Sequence, residues 1–133
     1  MAILSKEEAK KILEKAISFS KADGISANLN GGERGNIRYA RNSVSTAGED
    51  SNLSLGVTSN FGKRSGSATI NEFDDASIEK VVRRSEELAT LAPENPEFMD
   101  GLGPQTYAGE SKTFAEATAK ITPEYRAQAA ADS

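Results

Sequence analysis

The sequence contains no cysteine and no histidine. Without cysteine there is neither a disulfide framework nor thiol chemistry, and with neither residue the usual thiolate and imidazole ligands of a zinc site are missing. A strong basic balance is also lacking. The 16 basic residues face 20 acidic ones, a net charge of −4, and no stretch of lysine and arginine is long enough to neutralise a row of phosphates. Nucleic-acid binding by electrostatics is therefore disfavoured. Long apolar runs are absent too. The residues ahead of the charged helix start in MAILSKEEAKK are too few for a signal peptide or a membrane span, so the expectation is a soluble cytoplasmic chain with no membrane partner. At 133 residues and 37% apolar the chain can hold one modest core, burying roughly two-thirds of its unfolded surface.

What is present is a run of short alternating segments between two amphipathic helices. The segments ISANL (25–29), NIRYA (36–40), NLSLGVTS (52–59) and SGSATIN (65–71) each offer one apolar and one polar face. Ile25, Ala27 and Leu29 share one parity, as do Leu53, Leu55 and Val57. The expected fold is α/β of the α+β type, a four-strand antiparallel meander packed by two helices. In this reading NGGERG (30–35) is a hairpin reversal, TAGEDS (46–51) a polar loop, and Asn60 and Gly62 mark the last hairpin turn.

The first helix opens on a capping box, Ser5 with Glu8, carries Ala9, Ile12, Leu13, Ala16 and Ile17 on one face, and is expected to end at Gly24. The second begins with Asp74 or Asp75 as N-cap, turns Ile78, Val81, Val82, Ser85, Leu88 and Ala89 inward, and stops at Pro93. Residues 1–92 then make the N-terminal domain and 93–112 an extended connector rich in Pro, Gly and acidic residues. Residues 113–133 start a further helical segment, with Thr122 as N-cap and Pro123 at the first helical position; its lack of a C-cap suggests a truncated helix at the front of a longer protein.

Candidate functional residues cluster in GNIRYARNSVS (35–45). Ile37 and Tyr39 have one parity and Val44 the other, which implies a bulge or bend near Arg41 and Asn42. Arg38, Arg41 and Asn42 would then present polar groups to a carboxylate or a peptide carbonyl, the alternative being arginines that simply face solvent. Phosphate cradles are not supported. Gly31, Gly32 and Gly35 have the wrong spacing for a dinucleotide loop, and in GVTSNFGKRS (56–65) Arg64 stands where a P-loop needs Ser or Thr. Nor do Asp74 and Asp75, or Glu86 and Glu87, suit an acid/base pair, since neighbours on a helix point about 100° apart.

The order of ADGISANL, NIRYARNSVST, NLSLGVTSNFGKRSGSATIN, DDASIEKVVRRSEELA and APENPEF leading to PQTY resembles the N-terminal part of the TldD/PmbA proteins, known as modulators of DNA gyrase and as zinc metallopeptidases. The markers are Arg38, Ala40, Asn42, Gly56, Val57, Gly62, Arg64, Gly66 and Ala68. The resemblance implies a peptide substrate, zinc held downstream by H-E-x-x-x-H in catalytic members, and pairing as a homo- or hetero-dimer with a TldD/PmbA-type subunit. It implies no catalytic or metal residue and no cofactor in this chain, which would contribute scaffolding or substrate guidance to a peptidase or its non-catalytic PmbA-like partner. The rival expectation is a free-standing interaction domain that adds an extended peptide to a sheet edge.

Overall fold

The computed structural model describes residues 4–41, 43–109 and 113–133. In chain order the elements are α1 (Lys6–Phe19), β1 (Gly24–Ala40), β2 (Ser43–Phe61), β3 (Arg64–Ile70), α2 (Asp75–Leu91), α3 (Glu116–Ala119) and α4 (Pro123–Ala131). The sheet has three strands in the order β1-β2-β3. Among the described residues there is no separate fourth strand, because β1 absorbs both ISANL and NIRYA, and β2 absorbs TAGEDS. NGGERG is strand and not hairpin. Its glycines lack the positive φ a tight reversal requires; among the described glycines only Gly62 has one, at 54°. Gly31 instead permits close approach, since a Cβ there would lie 2.8 Å from the Asn52 carbonyl oxygen and against the Leu53 side chain. The bend anticipated near Arg41 is the β1–β2 turn itself, with Arg41 at φ 53°.

Two compact units share these elements. One runs to Gly32 and resumes over Asn52–Gly103; the other combines Glu33–Ser51 with Pro104–Ser133.

In the first unit, β2 and β3 pair antiparallel from Leu55↔Ile70 to Phe61↔Arg64. Gly62 supplies the left-handed residue of their two-residue turn, which a hairpin of this length needs. Pairing in this register puts Leu55, Val57 and Ser59 on the same face as Ile70, Ala68 and Gly66. That face meets the helices. Leu55, Val57, Ile78, Val81, Val82 and Ala16 form the buried cluster, with Ile12, Leu13, Phe19, Ile25, Ala27 and Leu29 packed around it. Each fully buried side chain of this size stabilises by about 1.5–3 kcal/mol. A buried hydroxyl pair sits among them. Ser85 Oγ donates to the Val82 carbonyl (2.8 Å) and therefore accepts, at 2.7 Å, from Ser59 Oγ, leaving neither hydroxyl unsatisfied.

Helix ends follow local chemistry in three cases and distant chemistry in one. Ser5 and Glu8 form the reciprocal capping box, Asp74 accepts from Ser77 N, and Thr122 accepts from Tyr125 N. The C-terminus of α1 differs. It stops at Phe19, with Ser20 as an extended C-cap, and Gly24 opens β1 instead of ending the helix. Arg83 on α2 donates to the Phe19 carbonyl at 2.8 Å, while the Glu86 carboxylate accepts from Lys21 N and, at 3.5 Å, from Ser20 Oγ. The last orphan carbonyl of α1 and the N–H just beyond the helix are thus both satisfied from another helix.

In the second unit, α4 begins at Thr122 and Pro123 as its cap chemistry requires. Arg126 bonds the Ile121 carbonyl at 3.0 Å and faces Glu49 of β2 at 3.6 Å. Its guanidinium occupies the space a Cβ would take at Gly35, with Nη1 2.5 Å from that position. Gly35→Ala should therefore displace Arg126 and loosen α4. Amide exchange across 123–131 is expected to accelerate while Leu55–Val57 keeps its protection; unchanged exchange in α4 would show that Arg126 does not hold it.

Candidate functional site

Arg38 lies on the last stretch of β1 and Arg41 in the turn that follows, both exposed. Asn42 lies outside the described residues. Around the two arginines the ribbon is polar and uncovered: every residue of 43–52 is exposed, Tyr39 keeps 53% of its surface accessible and Val44 43%. The Arg38 carbonyl accepts from Ser45 Oγ at 3.2 Å, which ties β1 to β2 just before the turn. Among the described residues neither guanidinium is engaged in a hydrogen bond or ion pair. Two cations are therefore available to a ligand within a few residues of each other.

The backbone at Arg41 adds to this. A side chain at φ 53° is in the left-handed region that glycine and asparagine occupy at little cost and other residues at about 1 kcal/mol or more. Turn formation alone does not call for arginine there.

A second surface belongs to the first unit. The sheet face opposite the helices forms an open depression of about 310 Å³ lined by Asn28, Asn30, Ser54, Gly56, Thr58, Ser67 and Thr69 among others. Thr58 and Ser67 hydroxyls bond at 2.8 Å, and Ser54 Oγ donates to the Asn30 carbonyl at 3.4 Å. Gly56 leaves room for Asn28 to lie across the strand; a Cβ there would sit 2.6 Å from Asn28 Oδ1. Nothing in the lining titrates near neutrality, so the face can hydrogen-bond but cannot perform acid/base chemistry. This surface was legible in the sequence as the polar parity of ISANLN, LSLGVT and SGSAT, but alternation alone does not separate a solvated face from a binding one.

Glu86 is the one buried charged residue among the described residues, 8% exposed. Burial pushes its carboxyl up, but the Lys21 N–H, the Arg83 guanidinium and Ser20 outweigh that and hold it below its ordinary value. Its partners are helix-end groups and Arg83 at 2.6 Å, which makes it a structural clamp and not a reactive group. Among the described residues no set of acidic side chains is grouped to hold a metal ion, and the sequence has no histidine or cysteine to complete one. The described residues therefore do not fit a zinc site. Within the described helices, none is long and apolar enough to cross a membrane.

Residues 28–89 match the family model described as PmbA/TldA metallopeptidase domain 1. Among solved structures the chain is similar to TldE from Thermococcus kodakarensis, with a TM-score of 0.76 at 14% identity over 92% of this chain. The likeness covers 27% of the TldE chain, so the present chain spans about a quarter of that relative. No curated protein matches the sequence.

Proposed function

We propose that this chain, whose residues 28–89 match the model of PmbA/TldA metallopeptidase domain 1, is the N-terminal scaffold of a peptide-processing protein of that family, and that the Arg38–Arg41 turn guides substrate or partner. The observation that carries this reading is Arg41 itself, an uncommitted cation held at a backbone conformation that favours glycine. Arginine forks suit peptide carboxylates and carbonyls, and a turn at the end of an uncovered ribbon is accessible to both. No step of hydrolysis falls to residues of this chain. In a catalytic parent, zinc chemistry belongs to residues outside the present sequence; in a PmbA-like partner the same domain would support a catalytic subunit through pairing. A cytoplasmic setting accords with a cysteine-free chain.

The test is the double variant Arg38→Ala, Arg41→Ala in the full-length protein. Stability should change by less than about 0.5 kcal/mol, as at ordinary surface sites, while peptide turnover or subunit pairing falls. Wild-type turnover together with wild-type pairing would reduce both arginines to solvated surface.

A further inference from the structure

Four of the seven arginines in the sequence stand within 4 Å of a carboxylate: Arg64 faces Glu94, Arg83 Glu86, Arg84 Glu87 and Arg126 Glu49. Among the described residues the guanidinium groups of the other three, Arg34, Arg38 and Arg41, make no ion pair or hydrogen bond. All three lie on the β1–β2 ribbon. Acidic residues outnumber basic ones by 20 to 16, so these arginines do not lack partners for want of carboxylates in the chain. Alternation along β1 divides the ribbon into two faces. On one, Gly35 and Ile37 are half-buried, with the Arg126 guanidinium of α4 lying over Gly35 and facing Glu49. Arg34, Asn36 and Arg38 have the opposite parity, and all are exposed. Gly48 beside them adds no side chain; a Cβ there would lie 3.6 Å from the Asn36 amide. Asp50, which shares the parity of Gly48, forms no ion pair among the described residues. α4 thus takes one face together with Glu49 and leaves the other open and cationic.

We infer that this open face is a docking strip for an extended acidic peptide, in which two carboxylates four residues apart are received by Arg34 and Arg38, with Arg41 as a further contact at the turn. The inference rests on the substrate-guiding reading and gives it a substrate class. In an extended chain, residues four apart point to the same side and lie about 13 Å from each other; the same rise separates Arg34 from Arg38 along β1. Guanidinium forks bind carboxylates through paired hydrogen bonds. Asn36, between the two arginines, offers a donor and an acceptor to the peptide backbone. Charge complementarity selects this occupant. An apolar segment would meet only Arg34, Asn36 and Arg38 on the strip, and a polynucleotide would find three cations on a chain of net charge −4. Contacts this exposed are individually weak, so the peptide binds reversibly and the strip sorts peptides by charge.

The probe is a short fluorescent peptide, neutral apart from Glu at positions i and i+4, whose binding to the intact chain is read by anisotropy at low salt. Its counterpart with Gln at both positions should bind about tenfold more weakly, since each exposed ion pair contributes at most about fivefold. The isomer with Glu at i and i+3, which turns one carboxylate away, should bind about threefold more weakly. At about 1 M salt, where the screening length is about 3 Å, the Glu and Gln peptides should bind alike. The double variant Arg34→Gln, Arg38→Gln changes only exposed side chains and should fold, as circular dichroism will verify, yet lose the preference for Glu. Lys63→Gln removes an exposed cation from the β2–β3 turn and should keep it. Equal affinity for the Glu and Gln peptides, a preference that survives the double variant or falls as much with Lys63→Gln, or tighter binding of an oligonucleotide of equal charge would each overturn the inference. Failure here is separable from failure of guidance. A chain indifferent to peptide charge can still lose turnover in the Arg38→Ala, Arg41→Ala protein, and acid-selective binding can persist where that turnover is unchanged.

Discussion

Gly66→Ala is expected to destabilise the first unit by about 3 kcal/mol or more, at the upper end of what overpacking a core costs. A Cβ at this position would stand 2.6 Å from the Leu88 carbonyl carbon and closer still to Ala89 N and Ser85 O, all of them backbone atoms of α2. Side chains can rotate away from such a clash; a helix backbone must move as a body. Moving α2 off β3 would also separate Ser59 from Ser85, whose bond at 2.7 Å is fully buried, and loosen Val82 and Ala89. Thermal unfolding should shift down by roughly 12–24 °C for a unit of this size. Gly32→Ala is the matched control, because a Cβ there meets nothing within 4 Å. Equal melting of the two variants would mean that α2 is not seated on Gly66.

Glu86→Ala should cost roughly 2 kcal/mol, since it strands the Lys21 N–H and the Ser20 hydroxyl at the end of α1 and leaves Arg83 without its 2.6 Å partner. Glu86→Gln keeps an acceptor and should cost less. The acid dependence separates charge from hydrogen bonding. Glu86 in the folded chain is held below its ordinary value near 4.5, so its contribution is fully present above that value and is lost as pH falls through the lower folded one. Glu8 and Asp74 act in the same direction, lowered by the hydrogen bonds from Ser5 and from Ser77 respectively. Glu86→Gln should therefore lose less stability than wild type between pH 7 and pH 3, without becoming independent of acid. Parallel urea-unfolding curves for the two proteins across that range would assign Glu86 no charged role.

Much of this architecture was legible because local chemistry wrote it. The Ser5–Glu8 box, the Asp74 and Thr122 caps and the parity of Leu55 and Val57 are properties of neighbouring residues. Strand number was not, because glycine has two uses that a sequence does not distinguish: positive φ at Gly62, close approach at Gly31. TAGEDS looked like a loop since a ribbon exposed on both faces has no apolar alternation to display. The end of α1 was hidden for another reason, as its cap arrives from Arg83 and Glu86, more than sixty positions along the chain. At the candidate site the parity change between Tyr39 and Val44 called for a bulge or a bend, and the chain takes the bend as the turn between β1 and β2. Exposed arginines carry no pattern that separates ligand binding from solvation, so Arg38 and Arg41 have to be judged by function.

The order β1-β2-β3 makes every sheet neighbour also a chain neighbour, and α2, which covers β3, follows it directly. Such short-range pairing closes small loops first and favours rapid folding. The exception is α1, whose docking through Lys21 and Glu86 closes a loop of 65 residues and so bears the larger entropic cost. The sheet and α2 can therefore assemble ahead of α1, which joins after the barrier. Loss of the Glu86 clamp would then quicken unfolding and leave the refolding rate nearly unchanged, a kinetic separation built into the chain by the order of its strands.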